Sequence, residues 1–153
     1  MWQFSSHLHL AVQGAEVPLS KIMQNVAFGY TRWINRRQRR ICHRFQGRYQ
    51  AIVVDADSYL LDLVRYIHLN PVRAALVTDP LDYAWSGHRA FLGQEVLPWL
   101  TTEWVLSMFA HQADLARNRY QDYVIDGVGG RPSPGAVPEC YRRSAGGWPN
   151  RVD

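Results

Sequence analysis

Cysteine, lysine and, in its leading third, acidic residues are what this sequence has least of. Only two cysteines occur in 153 residues, Cys42 and Cys140. They stand far apart with no metal or redox spacing, which argues against a disulfide framework or a thiolate zinc site and predicts a reduced, cytoplasmic setting. No run approaches the roughly 20 apolar residues that span a bilayer. The opening residues also lack the basic, then apolar, then small-residue order of a secretory leader. The hydrophobic share of 47% and the charged share of 20% are those of a globular chain, so wholesale disorder is excluded. The length suits one domain with its own core, and no internal repeat is present.

Lysine occurs once, at Lys21, and the other basic residues are all arginine. Up to Gln50 the chain carries eight basic residues against a single acid, Glu16, so the positive field belongs to the front. The planar guanidinium fork suits phosphate better than a point charge and also stacks on bases. A polyanionic partner is the first expectation, with a merely solvated basic face as its rival.

Along the chain, Trp2 to Val12 reads as a strand, with His7 and His9 on one face and Leu8 and Leu10 on the other. Gly14 and Pro18 mark a turn. A helix follows from about Leu19 to Arg36, its stripe of Leu19, Ile22, Met23, Val26, Tyr30 and Trp33 read as core. Arg36 to Arg48 is a basic loop with Phe45 and Tyr49 interleaved. Gln50 to Val54 is β-branched and predicts a second strand. Asp55 or Asp57 caps a helix over Ser58 to Leu69, which Pro71 is expected to stop. Asp82 to Gly93 predicts a turn and a short helix. Thr101 or Thr102 caps another helix through Met108, and Gln112 to Val124 forms the last. Beyond Asp126 glycine and proline dominate, and a disordered tail is expected.

Two constellations carry chemistry. His7-Leu8-His9 on a strand would aim both imidazoles to one side, toward one divalent ion. Alone, such a pair is more often an ordinary sheet face. The second lies on the helix before Pro71. At about 100° per residue, Leu60, Leu63, Val64 and Ile67 make one apolar arc, expected to pack on a sheet. Tyr66 and Asn70, four apart, stack on one side of the helix at the flank of that arc. His68 falls nearly opposite Asn70, so the two cannot serve one ion.

The string Tyr66 to Val77, YIHLNPVRAALV, followed by DYAWSGHRAFLG at Asp82 to Gly93, resembles the REP-associated tyrosine transposases, chromosomal relatives of small transposases that act on single strands. The likeness runs back through HRFQGRYQAIVVDADSYLLDLVRYIHLNPV and PLSKIMQNVAFGYTRWINRRQRR and forward to WLTTEWVLSMF, covering about Trp2 to Asp126. The resemblance implies an α+β, ferredoxin-like antiparallel sheet with helices on one face, and a small helical C-terminal extension. It places the catalytic part in residues 1–80, the extension in 81–125 and the tail in 126–153. It further implies Tyr66 as the nucleophile that forms a 5′-phosphotyrosine link, and His7, His9 and Asn70 as ligands of Mg²⁺ or Mn²⁺. The substrate implied is single-stranded or hairpin DNA. Arg36, Arg37, Arg39, Arg40, Arg44 and Arg48 would track its phosphates, and Phe45 and Tyr49 would stack on unpaired bases. No membrane is implied, and a monomer is favoured over a dimer.

The chain departs from that family in two places. Its members place a strand and a helix before the His-hydrophobic-His strand, whereas this sequence opens almost on it, so the first strand and helix are expected to be missing. Phe4-Ser5-Ser6 also replaces the usual Met-Pro-Asn before the first histidine. A truncated, non-catalytic nucleic-acid-binding remnant is therefore the second reading beside an active transposase.

Overall fold

Pro18, whose fixed φ and missing N–H suit a helix start, opens the first helix, α1 (Leu19–Gln38). Arg36 and Arg37 occupy its last turn, where cations complement the helix dipole. The helix ends in paired backbone bonds, Arg39 N–H to Arg36 O and Arg40 N–H to Asn35 O. This closure requires the left-handed conformation at Arg39, whose φ is 51°. Glycine is the usual residue there; arginine stands in its place.

The computed structural model describes residues 8–45 and 47–129, and these divide at Val53/Val54 into two compact units. In the leading unit α1 is the only helix among the described residues. The expected ferredoxin-like sheet is corrected by the structure: no strand forms among the described residues. Of the two segments read as β, Trp2 to Val12 and Gln50 to Val54, residues 8–12 and 50–54 run without regular structure, and residues 2–7 lie outside the described residues. A strand satisfies its backbone only by pairing with another strand, and no such pairing forms among the described residues, although Ile52 and Val54 are half-buried. Leu8, Leu10 and Val12 are exposed, and Val53 is 98% exposed.

The α1 stripe needs the same correction. Val26, Tyr30 and Trp33 were expected in the core and are exposed instead, while Ile34 alone of the helix is buried. The stripe is half-buried in its first turns, at Leu19, Ile22 and Met23, and open to solvent at Val26, Tyr30 and Trp33.

The trailing unit is built around α2 (Ala56–Arg73). Asp55 caps it, its carboxylate accepting from Asp57 N–H at 3.3 Å and from Ser58 Oγ at 2.7 Å. The helix runs through Pro71 rather than stopping before it. So close to the end, the proline removes a single ladder bond, and the chain still closes beyond it. Ala75 N–H reaches Val72 O and Leu76 N–H reaches Pro71 O, both at 2.9 Å. This second closure puts Ala75 in the left-handed region, φ 54°.

A 3₁₀ turn (Pro80–Asp82) capped by Asp79 follows, then α3 (His88–Phe91), α4 (Glu103–Ser107) and α5 (Ala113–Asp126). Arg89 Nε donates to Leu81 O at 2.7 Å, joining α3 to the 3₁₀ turn. Val64, Leu69, Phe91, Val105, Leu106, Ala116, Tyr120 and Val124 form one buried cluster. Leu60 and Leu61 pack against it. The arc of α2 that meets the core is therefore Leu60, Leu61, Val64, His68 and Leu69, rotated from the expected Leu60, Leu63, Val64 and Ile67. It faces helices, with no sheet to receive it.

Close approach of α5 to α2 depends on Gly127. A Cβ there would meet Leu69 Cδ1 at 2.8 Å and Arg65 Cδ at 2.9 Å. Beside it Asp62 accepts from Tyr123 Oη at 2.7 Å and from the Arg65 guanidinium at 2.6 Å, and Arg65 lies 4.2 Å over the Tyr123 ring. Of the expected tail, residues 126–153, Asp126 ends α5 and residues 127–129 follow as a turn and bend, while residues 130–153 lie outside the described residues. No helix among the described residues is long and apolar enough to cross a membrane.

Candidate functional site

Three polar groups of the trailing unit are withdrawn from any surface chemistry. His68 and His88 both turn Nδ1 toward the Tyr120 hydroxyl, His88 at 3.1 Å. One hydroxyl proton serves both contacts: the phenol donates to one imidazole nitrogen and accepts from the N–H of the other. Phe91 stacks on Tyr120 at 5.1 Å and meets His68 edge-on. Burial, with the neighbouring His88, pushes His68 down to about 3. Burial lowers His88 as well, opposed by the charge of Asp79, and raises the Tyr120 phenol. Both imidazoles are therefore neutral at pH 7 and act as core. The helical spacing had already set His68 apart from Asn70, and its burial gives the reason.

The other side of α2 carries Tyr66, Asn70 and Arg73. Tyr66 and Asn70 are half-buried, and neither belongs to the buried cluster. Arg73 places its guanidinium 5.5 Å from the centre of the Tyr66 ring. Burial raises the Tyr66 phenol above its ordinary value, while the Arg73 charge pulls it back down. Arg73 was not among the residues singled out in the sequence. Its spacing of seven from Tyr66, two helical turns, was the signal that could have found it.

His7 lies outside the described residues. His9 is half-buried in the leading unit, on a segment without regular structure, and Asn70 belongs to the trailing one. Among the described residues no group of three or more His, Cys, Asp or Glu converges as a metal site. Imidazole and carboxamide are both neutral donors, a chemistry that fits Mn²⁺ better than Mg²⁺, which favours carboxylate and water oxygens.

The basic loop after α1 is organised by Asn35. Its Nδ2 donates to Cys42 O at 2.9 Å, and its Oδ1 accepts from Arg44 Nε at 3.2 Å. Arg44 also donates to Gln38 Oε1 at 2.5 Å. Its fork is thus engaged within the unit, holding the loop against the helix end. Arg36, Arg37, Arg39, Arg40 and Arg48 are exposed, as are Phe45 and Tyr49.

Comparison with known protein families, with characterised proteins and with solved structures finds no match to this chain.

Proposed function

We propose that this chain is a metal-dependent single-strand DNA nuclease and strand transferase of the REP-associated tyrosine transposase kind, acting in the cytoplasm as a monomer on hairpin DNA. The observation that carries the reading is the partition of α2. Of the polar groups in the YIHLNP string, His68 is consumed by the core, while Tyr66 and Asn70 stay on the far side with Arg73 over the phenol. In the proposed reaction the Tyr66 oxygen attacks the scissile phosphorus and gives up its proton. The bond to the 3′ oxygen breaks, that oxygen leaves as a hydroxyl, and a 5′-phosphotyrosine remains. The 3′ hydroxyl of another strand reverses these steps and rejoins the DNA.

His7, His9 and Asn70 would hold the divalent ion, which when bound polarises the phosphate oxygens. Arg73 favours the phenolate, because its charge opposes the effect of burial on Tyr66. Arg73→Gln is therefore expected to slow adduct formation, and the rate in the parent to rise with pH through the neutral range.

The test is covalent capture. The protein is incubated with hairpin single-stranded DNA and Mn²⁺, and a denaturing gel is read for a protein–DNA adduct. The parent is expected to form it and Tyr66→Phe to lose it completely, with hairpin affinity in a native gel unchanged. A second reading, a nucleic-acid-binding remnant that does not cut, is favoured by one observation: the segment carrying His9 forms no strand. Binding by the parent without any adduct would select the remnant.

A further inference from the structure

The exposed stripe of α1 is continuous with the basic loop. Tyr30 and Trp33, one turn apart, have ring centres 6.5 Å from each other at 34°, and Phe45 folds back from the loop to 5.9 Å from Tyr30. The three rings are 44%, 56% and 50% exposed. Arg37 lies 5.6 Å from the Trp33 ring centre, with its charge over the π face. Around them no acid occurs between Glu16 and Asp55, and the leading unit holds eight basic residues to one acid. Even the left-handed closure of α1 keeps an arginine, Arg39, at a position that favours glycine.

We infer that Tyr30, Trp33 and Phe45 form a stacking platform for successive unpaired bases of single-stranded DNA, with Arg37, Arg39 and Arg40 holding the flanking phosphates. This deepens the proposed function, resting on its substrate class but not on its chemistry. Aromatic faces in a cationic setting are the recurrent device for gripping single strands without reading sequence, because every base has a π face. Duplex DNA stacks its bases internally and offers only phosphates to the same surface. A second copy of the chain is a poor occupant, since it would bring eight like charges against eight. Asn35 fixes the loop end that carries Phe45 and so sets the platform geometry, through its bonds to Cys42 and Arg44.

The test uses the full chain and a labelled twelve-nucleotide oligothymidine, with a duplex of equal length as comparison. Fluorescence anisotropy measures affinity at several salt concentrations. The parent is expected to prefer the single strand. Trp33→Leu and Tyr30→Leu keep an apolar surface but no ring of comparable stacking power, and each should weaken single-strand binding at least fivefold while leaving duplex binding unchanged. Trp33→Phe should retain most of the affinity, and far-UV circular dichroism of each variant should match the parent. Equal affinity of the leucine variants and the parent would overturn the platform, and so would a parent that binds duplex as well as single strand. Self-association of the parent that Trp33→Leu abolishes, with no oligothymidine binding, would assign the surface to a second copy instead. A platform that fails while the Tyr66 adduct still forms leaves the proposed chemistry standing. Loss of the adduct with the platform intact leaves a single-strand binder.

Discussion

α1 with 20 residues and α2 with 18 are similar in length, and each carries an apolar stripe at helical spacing. They meet different fates. In the leading unit Ile34 is the one buried hydrophobic among the described residues; in the trailing unit eight form one buried cluster, Tyr120 and Leu69 among them, the latter with no exposure at all. Amphipathic pattern gives a helix something to bury, but a core forms only where other elements supply a surface of matching shape. α2 finds α5 and the 3₁₀ turn. What α1 was expected to find was a sheet, and none forms among the described residues. Its rings stay in water amid arginines, a composition suited to a polyanion and poor for a folding core.

The largest way to sharpen that contrast is acid. His68 is held down to about 3 from an ordinary 6.5. Its folded value is depressed, so the unfolded chain takes up the proton first. The stability of the trailing unit is full above pH 6.5 and falls as pH drops toward 3. The loss is on the order of 4 kcal/mol, with over half gone by pH 4.5. His88 acts in the same direction. Urea unfolding at a series of pH values reads this directly; a flat midpoint from pH 6.5 to 4.5 would sink the neutral buried pair.

Next is Tyr120→Phe, which strips both imidazoles of their shared hydroxyl. An unsatisfied buried polar atom costs about 1–3 kcal/mol, so a loss of about 2 kcal/mol is expected, read as a lower denaturation midpoint at constant slope. The smallest test compares the two units at one kind of position. Arg39 and Ala75 close α1 and α2 in the left-handed region. Replacing either with glycine relieves the same strain and should stabilise by about 0.5–1 kcal/mol. Arg39→Gly should also weaken oligothymidine binding, whereas Ala75→Gly should leave it untouched. Equal binding by both variants would remove Arg39 from the phosphate contacts.

Helices were legible because their signals are local. The start of α1 after Pro18, the Asp55 cap, the α4 segment and the last helix all lie within two residues or so of where spacing and capping residues put them. The sheet was not legible because strands are defined by partners. Residues 50–54 have the right residue types, yet β-branching states only that a side chain suits a pleated, half-buried surface. Helical angles placed Tyr66 and Asn70 together and His68 apart, and the structure keeps them so. The partners of His68 were invisible, since Tyr120 lies 52 positions away. Arg44 looked like its neighbours in sequence and differs because Asn35 and Gln38 reach it.

Gly127 reaches further than its size suggests. At the end of α5 it has no side chain, and that lets the backbone rest on Arg65 and Leu69, the residues one before and three after Tyr66. The thinnest residue in the chain is thus the gauge that sets the spacing of two helices at the turn bearing the phenol. A single added methyl would push the Leu69 and Arg65 side chains aside, and the setting of Tyr66 between them would become sensitive to a position 61 residues downstream.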